Sequence, residues 1–308
     1  MPSPKTIGFL GACTAQIWEP WVKAFEQQLG QLGWTINTDV KIDYRWAEGL
    51  EKNYTAHAKY FVGNKVDIIV TGGTQSVIAC KKATANLKPP IPVVFATAGD
   101  PIDTKLVPAY SQTGNLTGLS NQQTNLVIKK LDWLRIALST AQGKTHVGLI
   151  GNDKSPNVKV EMKIAELVAP TFGIKLHKRS IRQQQDIARV IRGLKGTKVK
   201  GLLVCTDPLI TTHAAELNSE AANAQLVTLH AFREYLNYGG FMSYGPKFVE
   251  LFQGAAKMVD KILRGPAGQN IPLDQPSVFE FAINLPPFRR IGLTVPPSLL
   301  ALANHVIQ

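Results

Sequence analysis

The stretch VDIIVTGGTQS, residues 66–76, decides how the rest of the chain is read. An apolar run stops at Gly72-Gly73, and hydroxyl and amide residues then open a helix. A strand, a glycine turn and a helix in this order make half of a βαβ unit, and such a turn is where an α/β sheet meets its ligands. The turn can serve as a nucleotide-phosphate loop, as a catalytic turn, or as the rim of a small-molecule cleft.

Working outward, the same rhythm occurs twice. In the first half strands are expected at 6–11, 40–46, 66–71 and 92–97, with helices from Glu19-Pro20 to Leu29, at 51–62 and at 76–85. In the second half strands fall at 146–151, 174–180, 201–205 and 225–230, with helices at 158–169, 183–194 and 210–224. The strands are short apolar runs, and the helices space their apolar residues by three and four, as in Ala56, Tyr60 and Phe61 or Ile164, Leu167 and Val168. This alternation predicts an α/β protein with two open, mostly parallel sheets. The tail gives no third copy. It offers a strand at 240–244, a helix at 247–263 ended by Gly265-Pro266, a Pro-rich stretch, a strand at 278–284 and a short helix from Pro297.

Composition narrows the classes. A chain of 308 residues suits two domains, and 44% hydrophobic content is ordinary for a globular protein. The longest apolar runs, 92–98 and 201–205, are strand-sized and too short to cross a bilayer. Lys+Arg 34 against Asp+Glu 22 gives a net charge of +12. The cations are scattered along helix-like segments (Lys129, Lys130, Arg135; Lys159, Lys163; Arg189, Arg192, Lys195) without interleaved aromatics, so no nucleic-acid partner is expected. Cys13, Cys80 and Cys205 show no CxxC spacing, which argues against a disulfide scaffold and a zinc site. The LGAC at 10–13 mimics the end of a lipoprotein signal, but its apolar stretch is too short, and Cys13 reads as the end of a buried strand.

Enzyme signatures are missing. There is no GxxxxGK[ST], no GxSxG and no HExxH, and GFLGACT at 8–14 holds too few glycines for a dinucleotide fingerprint. His57, His146, His177, His213, His230 and His305 have no metal-ligand spacing. No catalytic residue, cofactor or metal is therefore expected. In the opening stretch, Gly72 and Gly73 let the backbone approach a ligand, and the helix starting near Ser76 points free N–H groups at it. Thr74 and Ser76 either cap that helix or bind. A carboxylate suits the loop better than a triphosphate, because no lysine follows the glycines. Asp207 is either a cleft carboxylate for an ammonium or the N-cap of a helix beginning near Leu209. Asp100, before Pro101, reads as structural. Trp18, placed in the first loop ahead of Pro20 as a first helical residue, either stacks on a flat ligand or packs in a core. The sequons at Asn53 and Asn115 matter only in a eukaryotic secretory context.

Seven stretches then follow one another in order: IDYRWAEG (42–49), VDIIVTGGTQS (66–76), IPVVFATAGDP (91–101), GNLTGLS (114–120), GGFMSYGP (239–246), VDKILRG (259–265) and LTVPPSLL (293–300). Together they resemble the extracytoplasmic substrate-binding proteins of ABC transporters, in the branch with tryptophan- and other aromatic-amino-acid-binding members. The likeness covers nearly the whole chain. It implies a type I periplasmic-binding-protein fold, with two Rossmann-like lobes joined by three crossovers near 118–122, 243–247 and 275–284 and closing by hinge motion on a ligand between them. The N-terminal lobe would hold residues 1–119 and 246–276, and the C-terminal lobe 120–245 and 277–308.

The resemblance further implies ligand contacts from Thr14, Gln16, Trp18, Gly73, Thr74, Gln75, Thr97 and Ala98 in the first lobe. In the second they come from Asn152, Ser155, Asn157, Asp207, His230 and Phe232. The implied ligand is a small carboxylate-bearing molecule, an amino acid or an aromatic acid. The implied partner is an ABC permease, met by a monomer in the periplasm or another extracytoplasmic space. Members are exported with a signal peptide, so Met1-Pro2-Ser3 is expected to mark a trimmed start. Two departures bear on the ligand: Pro208 stands where amino-acid-binding relatives often have Asn, and Leu229-His230-Ala231-Phe232 replaces smaller or basic residues. Two alternatives stand beside this reading. One is the effector-sensing domain of a transcription regulator, which would need a helix-turn-helix before Thr6; the other is an enzyme on a doubly wound fold.

Overall fold

The computed structural model describes residues 3–138, 145–266 and 270–308, so Met1 and Pro2, on which part of the trimmed-start expectation falls, lie outside the described residues. The chain opens with β1 (Lys5–Gly11), α1 (Ala15–Gln31), β2 (Val40–Trp46), α2 (Glu51–Gly63), β3 (Ile68–Thr71), α3 (Thr74–Thr84), β4 (Val93–Ala98) and β5 (Leu116–Ser120). These strands form one parallel sheet in the order β2-β1-β3-β4-β5.

Then come α4 (Gln123–Ala137), β6 (Thr145–Gly151), α5 (Pro156–Val168), β7 (Ile174–Ser180), α6 (Asp186–Arg192) and β8 (Gly201–Val204). They are followed by α7 (Pro208–Thr212), α8 (Ala214–Asn223), β9 (Val227–His230) and β10 (Met242–Pro246). The parallel run β7-β6-β8-β9-β10 repeats the order of the first sheet. After α9 (Phe248–Arg264), β11 (Phe279–Asn284) adds to β10 in the antiparallel sense. The short α10 (Leu285–Arg290) and α11 (Pro297–Leu300) lead to β12 (His305–Ile307), which pairs with β11.

Two compact units result. One holds the residues up to Asn121 together with Phe248–Pro276, and the other holds Gln122–Lys247 with Ser277–Gln308. The chain passes from one to the other after Asn121, after Lys247 and after Pro276.

The local sequence explains both layers. In β8 and just beyond, Leu203 and Cys205 enter one apolar cluster while Leu202 and Val204 enter another, so the strand is buried on both faces. A strand of that kind needs helices on either side of its sheet. The helix α9 belongs to the first unit because its buried residues, Phe248, Leu251, Phe252, Ala255, Ala256 and Val259, repeat at three- and four-residue spacing. That stripe lies on α1, with the Phe248 ring 4.5 Å from Trp21 and Phe252 5.3 Å from Trp18.

Several expectations need correction. The helix α1 begins at Ala15, so Pro20 stands inside it and Trp18 is a helical residue, not a loop residue. Its first turn closes through the Trp18 N–H donating to the Thr14 carbonyl at 3.3 Å. The helix predicted over 210–224 is two helices, separated at His213, where the backbone turns through φ −112° and ψ 27°. The helix predicted over 183–194 is shorter, because Gln183 and Gln184 spend their carbonyls on a turn with Asp186 and Ile187. Lys130, grouped with the scattered cations, is buried on α4.

Candidate functional site

In the first unit the loops at the carboxyl ends of β1, β3 and β4 build one corner. Gly73 ends the β3 turn with φ +89° and ψ 133°, a conformation open in practice only to glycine, and caps α3 without a side chain. Its N–H donates to the Thr97 carbonyl at 2.7 Å, and the Gly99 N–H donates to Thr74 Oγ1 at 3.0 Å, so the β3 and β4 loops are tied together. Ser76 lies within α3 and turns its hydroxyl back to the carbonyls of Gly72 (2.5 Å) and Gly73 (2.8 Å). Thr97 Oγ1 accepts from Asn121 Nδ2 at 3.2 Å, and the Ala98 carbonyl accepts the Asn121 N–H at 2.9 Å. Asn121, where the chain leaves this unit, thus joins residues that sequence reasoning had already singled out. Gln75 is half-buried in the first turn of α3.

Thr14 is the N-cap residue of α1 and is half-buried, while Gln16 is exposed on its first turn. Trp18, 3% exposed, meets Phe9, Trp21, Trp46 and Phe252 edge-on at centroid distances of 6.2, 6.0, 6.2 and 5.3 Å. Its ring also explains Gly72. A Cβ there would lie 2.9 Å from Trp18 Cη2 and 3.1 Å from Thr97 Cγ2, so the first glycine of the pair makes room for tryptophan packing. Asp100 takes the structural role expected of it, accepting the N–H groups of Ile102 and Asp103 at 3.0 and 3.1 Å.

In the second unit Asn152 Oδ1 accepts from the Lys154 N–H at 3.2 Å. Arg182 grips Asp153 through two bonds of 2.7 and 2.8 Å, and that pairing, ahead of every other cause, holds the Asp153 carboxyl far below the usual range. Ser155 Oγ donates to Asn157 Oδ1 at 2.8 Å, and Asn157 Nδ2 donates to the Thr206 carbonyl at 2.6 Å. These contacts join the β6 loop to the β8 loop. Asp207 is buried and caps α7, with Oδ1 accepting the Leu209 N–H at 2.9 Å. His230 is fully buried at the end of β9, with Nε2 2.7 Å from Asn218 Oδ1 and its ring stacked 4.6 Å from Tyr235. Burial first, and then the nearby Lys130 charge, push its pKa down to about 3, so the imidazole is neutral. Phe232 is buried and stacks on Tyr235 at 6.1 Å.

Sequence reasoning missed three groups here: Asn218, which holds His230, and the buried charges Lys130 and Glu161. The helical spacing carried the signal for the charges. Lys130 shares a stripe with Leu126, Val127, Leu131 and Leu134, and Glu161 shares one with Val158, Met162 and Ala165.

The family profile for "ABC transporter substrate binding protein" matches residues 19–307, and the chain belongs to that family. It is a family of transporter substrate-binding proteins, not of enzymes; in ABC importers such proteins work outside the cytoplasm, binding small ligands for a permease. A curated relative, "Tyrosine-binding protein" of Clostridioides difficile, is 25% identical over 264 residues, covering 85% of this chain and 73% of its own length. A Streptococcus pneumoniae ABC domain solved in complex with L-Trp is 22% identical with a TM-score of 0.88, over 99% of this chain and 100% of that one. A conserved domain protein from Vibrio cholerae reaches a TM-score of 0.90 at 22% identity, over 99% and 100% of the two chains. The α/β fold is that of the type I periplasmic-binding proteins. Among the described residues no helix is long and apolar enough to cross a membrane, and no group of three or more His, Cys, Asp or Glu could hold a metal ion.

Proposed function

We propose that the chain is the solute-binding component of an ABC importer, and that it binds an aromatic amino acid or aromatic acid and hands it to a membrane permease. The observation that carries this reading is the start of α3. Gly73 brings no side chain to the first-turn amides, the Ser76 hydroxyl is turned back to the Gly72 and Gly73 carbonyls, and no lysine follows before Lys81. Such a corner suits a single carboxylate. The aromatic class is supported by the tyrosine-binding relative and by the neighbour solved with L-Trp.

In this reading Thr14, Gln16, Gly73, Thr74, Gln75 and Thr97 of the first unit serve the same ligand as Asn152, Ser155, Asn157 and Asp207 of the second. The protein acts as an extracytoplasmic monomer, takes no nucleic acid and leaves its ligand chemically unchanged. Calorimetric titration with tyrosine, tryptophan, phenylalanine and phenylpropionate tests it, followed by mass spectrometry of the recovered compound. Saturable one-to-one binding with intact ligand is expected. Failure of all four to bind, or catalytic conversion of any, overturns the reading.

A further inference from the structure

Lys130 on α4 and Glu161 on α5 are 1% and 3% exposed, among the buried Leu126, Val127, Leu131 and Leu134 on one helix and Val158, Met162 and Ala165 on the other, with polar Gln123, Thr124 and Asn157 buried at the helix starts. A hydrophobic residue at either position would simply continue the core, and a buried charge is costly unless it is paired. Each acts on the other against the effect of burial: burial lowers the Lys130 pKa while Glu161 opposes, and burial raises that of Glu161 while Lys130 opposes. Glu161 Oε2 accepts the Thr206 N–H at 3.2 Å, and among the described residues Oε1 has no hydrogen-bond partner. Lys130 Nζ donates to Gln123 Oε1 in the first turn of α4, just past the first crossing of the chain. The Thr206 carbonyl in turn holds Asn157, and the next residue is the cap Asp207. Lys130 thus holds Gln123, Glu161 holds a turn shared by two candidate ligand-binding residues, and the two buried charges act on each other.

We propose that Lys130 and Glu161 are positioning residues: ionised Glu161 holds the Thr206–Asp207 turn in its ligand-binding form, so ligand binding weakens on acidification. The inference rests on the ligand-binding reading given above. Burial lifts the Glu161 pKa to about 7, with Lys130 and then the Thr206 N–H pulling the other way. The other groups facing the pair are Cys205 at the end of β8, itself close to Asp207, and His230 at the end of β9. Burial, then Glu161, raises the Cys205 thiol well above its usual value, and His230 is neutral, so neither changes charge between pH 6 and 8. Protonation of Glu161 replaces a charged acceptor by a neutral one at the Thr206 N–H and deprives the Lys130 ammonium of its counter-charge. With one proton linked to binding and a midpoint near 7, the Kd rises about tenfold from pH 8 to pH 6.

The test uses the full chain and the double variant Lys130→Gln/Glu161→Gln. Either single change strands one buried charge and can unfold the unit, whereas the double variant keeps two hydrogen-bonding side chains of similar size. Two measurements are made: the Thr206 amide shift in ligand-free, 15N-labelled protein, and calorimetric Kd values for L-tyrosine and L-tryptophan, both from pH 8 to 6. The expected wild-type result is a Thr206 titration centred near pH 7 and the tenfold loss of affinity, both absent from the double variant. A Thr206 amide that does not titrate, or the same affinity profile in both proteins, overturns the proposal. If neither amino acid binds at pH 8 while Thr206 still titrates in the wild type alone, the ligand assignment fails and the positioning of the turn by Glu161 is supported.

Discussion

Replacing Trp18 by alanine should destabilise the ligand-free first unit. The ring meets β1 through Phe9, β2 through Trp46, its own helix through Trp21 and α9 through Phe252, all between 5.3 and 6.2 Å. Truncating a buried tryptophan costs about 3–5 kcal/mol, and the contacts to four elements favour the upper part of that range. For a unit of this size such a loss lowers the melting temperature by on the order of 10 °C. Gly72 supplies the second arm. A methyl group added there would stand 2.9 Å from Trp18 Cη2, so Gly72→Ala should cost about 1–3 kcal/mol by overpacking. The cost should shrink in a Trp18→Phe background, because phenylalanine lacks the atom that collides. Urea and thermal unfolding followed by far-UV circular dichroism read both effects without relying on tryptophan emission. A Trp18→Ala protein that melts within a degree or two of wild type, yet loses affinity for tyrosine and tryptophan, would refute the reasoning and turn the ring toward the ligand.

Three further outcomes are expected. Asp207→Asn keeps an oxygen for the Leu209 N–H and should fold normally, whereas Asp207→Ala should lose about 1 kcal/mol of stability with its cap. If an amino-acid ammonium pairs with Asp207, the Asn variant should also bind phenylalanine more than a hundredfold more weakly, and equal calorimetric Kd values would remove that role. For His230 the folded pKa, about 3, lies below the ordinary value of 6.5, so the unfolded chain binds the proton first. Stability is complete above pH 6.5 and should fall by up to roughly 1.4 kcal/mol per pH unit below it, a loss that urea midpoints should show reduced in His230→Gln. Gly73→Ala forces a side chain into φ +89° and should cost about 1–3 kcal/mol while misaiming the first turn of α3, visible as lost stability and lost ligand binding together.

Much of the fold was legible because its central strands, such as β3, β4, β8 and β9, are buried and stand out as apolar runs. The half-buried edge strands over 40–46 and 174–180 were also read to the residue. What failed was local chemistry that distant partners override. Proline's preference for a first helical turn placed the α1 start at Pro20, but packing of Trp18 and Trp21 against α9 stabilises a helix that begins at Ala15. The strands β5 and β12 lack a pattern of their own; in β5 (LTGLS) Thr117 and Gly118 break the apolar run, and β12 is exposed throughout. At the site, the glycine turn and the polar loops could be read from residue types. The division of labour between Gly72 and Gly73 could not, since it depends on the distant Trp18 ring meeting one glycine and on a backbone angle at the other. Asp207 carried two readings in the sequence, and only the position of the Leu209 N–H shows that one oxygen is engaged in capping. Lys130 and Glu161 were within reach, because their helical spacing sets them among buried neighbours, but Lys130 was grouped only with the scattered cations and Glu161 was not singled out.

The repeated strand order makes β3 and β8 counterparts, and with them the helices α3 and α7 that follow. At these matching corners the two units treat the same electrostatic demand in opposite ways. The amides of α7 receive a carboxylate from the chain itself, whereas α3 begins behind a glycine that has none to give. Under the proposed reading, a bound acid would do for α3 what Asp207 does for α7. One half of the duplicated architecture then carries a built-in copy of the interaction that the other half reserves for its cargo, and moving the carboxylate across, as Gly73→Asp, would convert a receptor corner into a self-satisfied one.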